Sequence, residues 1–406
     1  MKLAIDLHSH SGYAGGVGQI ELSDVSKTMK LKGIDVFGTG DCLLPRRTKE
    51  LHSLLNESAE GLYSLPGDSK NFLLQTEVIF STKLADYKNK TIAHHVILFP
   101  DFSAIEKMQK LMDKWKMKNT IGRPFVVSNS QTELQDQLFE IAAIDPLIEI
   151  IPAHVVTPEG IFGSKNNLQQ IAEFYGDFLS NIRIIETGLS ADPKMLQQIP
   201  ELAELTMISN SDCHSAAINR IGREFTVIDS KALSYPAIIS SLRENKIAFT
   251  AEFNPQEGRF YHTGHRANRA GHEDCVIFVD EIPKDLICPI CGKKMNLGVS
   301  ERCQQLTDDK IIPTERKYMH LIPLVEVVAA SLGIKNPASK SVLKSFAQVM
   351  KLFPSEIALW QDTKLAGKLA GSIDEKLIAN ILAVQNDNFS FEPAGFDGNY
   401  GVLKIK

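Results

Sequence analysis

The sequence predicts an α/β fold. Residues 1–255 read as a distorted seven-stranded β/α barrel, 256–306 as a small zinc-binding module and 307–406 as a helical C-terminal domain. Three observations carry this. Short apolar strands alternate with amphipathic segments of helix length through the first half, which indicates a largely parallel sheet. Side chains able to ligate metal stand at or just beyond the ends of nearly every strand, where barrels carry their chemistry. The outermost of these groups, Asp6-Leu7-His8-Ser9-His10 and Ser211-Asp212-Cys213-His214, must meet in one site. A closed barrel brings first and last strands together and an open sheet does not.

The expected strands are Leu3–Leu7, Ile34–Gly38, Phe72–Glu77, His95–Phe99, Ile148–Pro152, Arg183–Glu186 and Thr206–Ser209. Each is a short run of mainly β-branched and apolar residues. Helical periodicity lies between most of them: Ser23–Lys32 with Ser23 as N-cap, Ser103–Lys118, Asn167–Phe178 and Lys194–Leu205. After Pro255 the texture changes. His262, His265, His272, Cys275, Cys288, Cys291 and Cys303 crowd a stretch too short for a core of its own, which suits a metal-stapled module. From Leu321 the pattern is helical again, over Leu321–Leu332, Ser341–Phe353, Ser355–Trp360 and Asp374–Gln385, and the tail Phe396–Ile405 reads as a turn and a strand.

Totals narrow the class. The 406 residues suffice for two or three domains, and 43% hydrophobic content excludes a disordered chain. A formal net charge of -5 gives no global attraction for an acidic partner, although bound metal would neutralise several carboxylates. Asp6 and His8 interrupt any apolar run near the start, and no stretch of eighteen apolar residues occurs, so neither signal peptide nor membrane span is expected. Six cysteines are too few for a disulfide scaffold of this length, and a cytoplasmic protein is expected.

Alternation along a strand puts i and i+2 on one face, so His8 and His10 point the same way, as do Asp212 and His214. With Asp41, Glu77, His95 and His154 they make eight candidate metal ligands. Buried charge is costly unless paired or metal-bound, so this convergence implies a multinuclear metal site and metal-assisted hydrolysis. A second group, His272-x-x-Cys275 and Cys288-x-x-Cys291, has the spacing of two knuckles holding one structural zinc. His265, His262 and Cys303 rival His272 as its fourth ligand.

The first set resembles the polymerase-and-histidinol-phosphatase (PHP) superfamily. The likeness runs through His8-Ser9-His10, Gly38-Thr39-Gly40-Asp41, Glu77, His95, Pro152-Ala153-His154 and Ser211-Asp212-Cys213-His214. That superfamily holds a cluster of two or three metals at the top of a seven-stranded barrel. Its second motif often has a histidine after the aspartate; here Cys42 stands there and is not counted as a ligand. Of His94 and His95, the latter precedes the apolar run Val96-Ile97-Leu98, as the family ligand does.

One branch resembles the chain more closely and along its whole length. The strings are Ala153-His154-Val155-Val156-Thr157-Pro158, Phe162-Gly163-Ser164-Lys165, Glu186 to Pro193, Ile208 to Ser215, Gly222-Arg223-Glu224, Cys288 to Lys293, Ile322-Pro323-Leu324 and Gly395 to Gly401. That branch is endonuclease Q. The resemblance implies a metal-dependent hydrolase that cuts DNA 5′ of a deaminated base (uracil, hypoxanthine, xanthine) or an abasic site. It implies two or three divalent ions (Zn, Mg or Mn) in the barrel and one structural Zn. Asp212 would orient water or bridge metals, Glu77 would bridge, and Glu186 would act as a base or contact the lesion. The partner would be damaged double- or single-stranded DNA, with any repair or replication-clamp partner left open and no membrane. Lys107, Lys110, Lys114, Lys116, Lys118 and Arg123, with Trp115 among them, and Lys335, Lys340, Lys344 and Lys351 offer charge for phosphates. The alternative is a PHP phosphoesterase for a small phosphate monoester, which would have no use for the module and the helical tail.

Overall fold

The structure is a computed structural model. It describes residues 1–406 except Gly16, Asn167, residues 268–271, Asp309 and residues 312–313, together with the side chain of Val279. The start of the helix expected from Asn167, and Gly271 ahead of the first zinc pair, therefore lie outside the described residues.

The seven expected strands are present with shifted ends: β1 (Lys2–Asp6), β2 (Val36–Gly38), β5 (Asn71–Thr82), β6 (Thr91–Phe99), β8 (Glu149–Pro152), β9 (Ile184–Glu186) and β10 (Thr206–Ile208). Further strands join them. The hairpin β3 (Asn56–Ala59) and β4 (Leu62–Ser64) and the short β7 (Phe125–Val127) lie on the β5 side. β11 (Phe225–Asp229), β12 (Ile247–Glu252) and β15 (Tyr318–His320) extend the sheet beyond β1.

The barrel does not close. The main sheet runs β15-β12-β11-β1-β2-β5, with β6 on β5 and β8 on β6, while β9 and β10 form a separate parallel pair. The reason is geometric. The free edge of β1 is taken by β11, antiparallel, with Lys2 opposite Asp229 and Ile5 opposite Thr226. β10 is thus excluded from a ladder with β1. The two meet only beyond their ends, where the His10 N–H donates to the Cys213 carbonyl at 3.0 Å and the Leu7 N–H to the Asn210 side chain at 2.6 Å. On the other flank the Val155 N–H donates to the Glu186 carbonyl at 3.1 Å. Single hydrogen bonds complete the ring where ladders were expected.

Nor is the sheet wholly parallel. β6 runs antiparallel to both β5 and β8. The eight residues or so between β5 and β6 are too few for a crossover helix, which needs a dozen or more, so the pair is a long hairpin.

Two apolar layers result. Leu3, Ile5, Leu7, Leu73, Val96, Leu98, Ile151, Ile184 and Ile208 fill the interior, capped at one end by α7 (Tyr235–Arg243). The outer faces of the strands pack on the helices: Phe72, Leu74, Val78, Phe80 and Ile97 meet residues such as Met29 of α1 (Leu22–Lys32), Ile105 and Met108 of α3 (Phe102–Lys114) and Leu138 of α4 (Gln131–Ala142). α1 begins at Leu22, so Ser23 sits inside its first turn; the α3 cap is Asp101, which accepts from the Ala104 N–H at 2.8 Å. The helix expected over 194–205 is only α6 (Pro193–Leu196), capped by Asp192.

Beyond Phe253 the chain forms a two-stranded ribbon, β13 (Gly264–His265) with β14 (Cys275–Val276), and the helix Val299–Leu306. Helices Leu324–Ser331, Lys340–Met350, Glu356–Trp360, Leu365–Leu369 and Glu375–Gln385 follow, and the tail pairs Phe389–Phe391 with Leu403–Ile405. This last region is joined to the first. β15 lies parallel to β12, and Lys32 of α1 forms a buried ion pair with Glu356 at 2.9 Å.

Candidate metal centre

At the mouth opposite α7, the structure brings His8, His10, Glu77, His154, Asp212 and His214 together, and adds His94. Three overlapping groups have all their donor atoms within 4.8 Å of one another: His8, His10 and Glu77; His10, Asp212 and His214; Glu77, His94 and His154. Glu77 Oε1 lies 2.7 Å from His94 Nδ1 and 3.4 Å from His154 Nε2, and its Oε2 is 3.5 Å from His10 Nε2. Asp212 Oδ1 stands 3.2 Å from His10 Nε2 and 3.6 Å from His8 Nε2.

These residue types in this packing fit divalent metal. His8 Nε2, Glu77 Oε2 and Asp212 Oδ1 are buried with no hydrogen-bond partner, an expensive state that coordination would relieve. The electrostatics agree. Burial opposes charge on His8 and His10, yet the carboxylates of Glu186, Asp212 and Glu77 around the first, and of Asp212, Asp41 and Glu77 around the second, lift their pKa values to about 9 and about 10. Against the same burial, the surrounding imidazoles hold Glu77 and Asp212 well below the usual carboxylate range. The cluster thus favours positive charge among its carboxylates, and protons on the rings are what a dication would displace.

Backbone geometry at the mouth is strained. Asp41, His154 and Asp212 have φ of 53°, 33° and 43°, left-handed values that non-glycine residues rarely adopt and that cluster at functional sites.

Three of the expected residues stand elsewhere. His95 is the clearest correction. β6 starts at Thr91, and its ladder sets His94 opposite Ile79 and His95 opposite Val78. Glu77 shares a face with Ile79, so His94 joins it and His95 points to the other layer. There its Nε2 lies 2.6 Å from the Tyr175 hydroxyl, its ring stacks on Phe174, and burial pushes its pKa down to about 3.

Asp41 falls outside the three groups. Its Oδ2 accepts from the Ser11 N–H and hydroxyl, and its Oδ1 lies 3.5 Å from His10 Nδ1, so it orients His10 from behind.

Glu186 is fully buried beneath His8 and does not reach the cleft. Both its oxygens lie 3.0 Å from His8 Nδ1, and it accepts from the Asn210 side chain at 2.8 Å and the His154 N–H at 2.9 Å. It aims His8 Nε2 at the cluster and pegs three strand ends together across the open seam. Cys42 is buried in the outer apolar layer, and burial raises its thiol far above the ordinary value.

The centre forms one wall of a cavity of 720 Å³. Glu159 and Lys165, 2.6 Å apart, stand at its lip, with Glu159 3.6 Å from His94 Nε2. The far wall carries Arg220, Arg223, Arg259 and Tyr400, with Arg223 NH1 3.4 Å from the Tyr400 hydroxyl and Arg220 over its ring at 5.1 Å. Of these, the sequence suggests only Arg259, as a base-pocket candidate outside the site set; scattered single arginines on loops carry no spacing signal, although Lys165, Gly222-Arg223-Glu224 and the tail containing Tyr400 stand in the strings that carry the family resemblance.

A second group lies in the module. His265, His272, Cys288 and Cys291 have donor atoms within 4.8 Å of one another. Cys275 stands outside this set. It faces His265 across the ribbon and packs beside Cys288, but the longer His265 ring is the one that reaches Cys291, with Nδ1 3.3 Å from Sγ. Burial opposes a thiolate at Cys288, but the N–H groups of Cys291 and Ile290 and the His265 ring bring its pKa down to about 6, which suits a metal ligand.

Fold and centre together define an α/β protein with a buried cluster of candidate metal ligands. Comparison with known proteins identifies which one it resembles. The lesion-specific endonuclease PfuEndoQ from Pyrococcus furiosus superposes with a TM-score of 0.82 at 27% identity, over 100% of this chain and 96% of that one. An endonuclease Q bound to a 27-mer duplex with an abasic lesion at its active site gives 0.85 at 27% identity, over 100% and 97%. The chain therefore has the endonuclease Q fold from end to end, and the likeness read from its motifs holds. No family model matches the chain. An uncharacterized protein of Methanocaldococcus jannaschii is 29% identical over 231 residues, which is 55% of this chain and only 28% of that protein's length.

Proposed function

We propose that the chain is a metal-dependent DNA repair endonuclease that hydrolyses the phosphodiester bond 5′ of a deaminated base (uracil, hypoxanthine or xanthine) or an abasic site. The observation that carries this is the cleft itself. One wall is a buried His–carboxylate cluster, and the other walls draw on Arg259 and Asn296 of the zinc module and on Tyr400 of the tail. A small monoester has no use for a wall built from three regions, so that alternative is not favoured. The whole-length likeness to endonuclease Q, one member of which holds an abasic duplex at its active site, supports the same substrate.

In this reading residues 1–255 are the catalytic region, 256–306 the zinc module and 307–406 a helical region that contacts DNA. His8, His10, Glu77, His94, His154, Asp212 and His214 would hold two or three divalent ions (Zn, Mg or Mn), and His265, His272, Cys288 and Cys291 one structural Zn. Such ions, when bound, polarise the phosphoryl group and lower the pKa of an attacking water.

The chain's own residues do the rest. Glu186 and Asp41 fix the rings of His8 and His10, and the Thr157 hydroxyl, 2.7 Å from His154 Nδ1, turns His154 Nε2 toward Glu77. Asp212, which lines the cavity, would orient water or bridge the ions. Cys42 and Cys213 are buried, with thiols pushed far up, so neither serves as a nucleophile. Exposed Lys107, Lys110, Lys116 and Lys118, and Lys335, Lys340, Lys344 and Lys351, would neutralise flanking phosphates. All six cysteines are free, which fits a reducing cytoplasm, and no described helix is long and apolar enough to cross a membrane.

The test is an end-labelled duplex with one deoxyuridine, deoxyinosine or abasic site, incubated with Mg²⁺ or Mn²⁺. A nick immediately 5′ of the lesion is expected. An intact duplex alongside turnover of p-nitrophenyl phosphate would overturn the reading.

A further inference from the structure

One cation in the cleft stands beside the metal donors themselves. Arg123 lines the cavity with NH1 3.6 Å from Glu77 Oε2, and its Nε is buried without a partner. Among the described residues it is the only Lys or Arg paired with a carboxylate of the three metal groups. The pair is loose: at 3.6 Å it is beyond hydrogen-bond distance, and Glu77 Oε2 has no hydrogen-bond partner. The guanidinium therefore keeps donors for something else in the cleft.

Its position is also built. Gly122 has φ +86°, and a Cβ there would fall 2.5 Å from Asp41 Cγ, so glycine alone lets this turn lie against the centre. The Gly122 N–H donates to Asn119 Oδ1 at 3.1 Å, its carbonyl accepts from the Thr76 hydroxyl at 3.3 Å, and the Pro124 carbonyl accepts from the Ile79 N–H at 2.9 Å. Arg123 is thus delivered by a pinned backbone on both sides, not by a mobile loop.

We propose that Arg123 is a catalytic residue that grips a non-bridging oxygen of the scissile phosphodiester from beside Glu77. The inference rests on the endonuclease reading. A guanidinium fork matches a phosphate in shape and stays charged at every working pH. Charge that grows on the phosphoryl oxygens in the transition state is met by a donor already in place.

The test has two arms, both on the full metal-loaded chain with metal content checked. In the first, dimethyl phosphate, an inert phosphodiester, is titrated by phosphorus NMR. Arg123→Ala should bind it at least tenfold more weakly than the native chain, with Arg123→Lys between. In the second, Arg123→Ala should lower the kcat of lesion incision about 100-fold, with KM changed less, and added guanidinium ion should restore part of the rate. Equal dimethyl phosphate binding by native chain and variant, including no binding by either, overturns the proposal, as does incision that is unchanged or not rescued. If the native chain binds dimethyl phosphate through Arg123 yet incises no lesion, the function reading fails while the anion site stands.

Discussion

At the scale of single residues, strand parity decides what takes part in the centre. The i,i+2 pair at His8 and His10 is legible in the sequence through alternation; Asp212 and His214 meet the centre from beyond β10, with Asp212 at φ 43°, so strand parity does not explain their shared side. The choice between His94 and His95 is not legible, because a one-residue difference reverses every side chain and nothing local marks Thr91 as the strand start. His94→Ala should therefore lower bound metal and abolish incision, whereas His95→Phe, beside Phe80 and Phe174, should keep full metal content. Elemental analysis of the two purified variants checks this, and the reverse pattern would return His95 to the centre.

Another buried residue sets a pH dependence. Burial lifts Glu252 from 4.5 to about 7, outweighing its hydrogen bonds from the Ser209 and Thr187 hydroxyls. A carboxyl with a raised folded pKa favours folding below its unfolded pKa, and that contribution is lost as pH rises through the folded value. Stability should thus fall by about 3 kcal/mol between pH 4.5 and 7 from this group alone. Glu252→Gln should flatten that slope in urea unfolding; an unchanged slope would remove Glu252 as its source.

At the scale of elements, the strands are legible and their pairing is not. Apolar runs mark β1, β2, β5, β6, β8, β9 and β10 within a few residues. Direction and neighbour depend on partners far along the chain: the short link makes β5 and β6 a hairpin, and β11, which the apolar pattern does not single out, takes the edge of β1. Donor positions survive this error because strand ends converge even where ladders do not. The turn after β9 shows how closely. Gly188 has φ +78°, and a Cβ there would lie 2.4 Å from His154 Cβ and 2.8 Å from its Cα. Rotating the His154 side chain cannot relieve a contact with its backbone. Gly188→Ala should cut incision at least tenfold and weaken metal retention, as a chelator competition would show; native retention would mean that the turn shifts without moving His154.

At the scale of the whole molecule, the C-terminal helices are part of the same body as the first half. Lys32 and Glu356 are each about 2% exposed or less and 2.9 Å apart, and Glu356 also accepts from the Leu324 N–H at 2.9 Å. Lys32→Met should leave a buried carboxylate without its partner and cost about 3–5 kcal/mol, whereas Lys32→Met with Glu356→Gln should recover much of the loss. Chemical denaturation of the single and double variants measures both; equal losses would mean the pair is not coupled. This docking is invisible in the sequence, where a lone lysine and a lone glutamate hundreds of positions apart carry no signal.

The open seam beneath the centre also dictates an order of assembly. The module's donors lie within one short stretch, His265 to Cys291, and can gather as soon as that stretch exists. The centre in the cleft cannot. Its first ligand is His8 and its last is His214, and the peg between them, Glu186, must sit against both flanks before His8 is aimed. Loop closure over so long a span comes late in folding. A nascent chain still short of residue 214 therefore carries an unfinished centre.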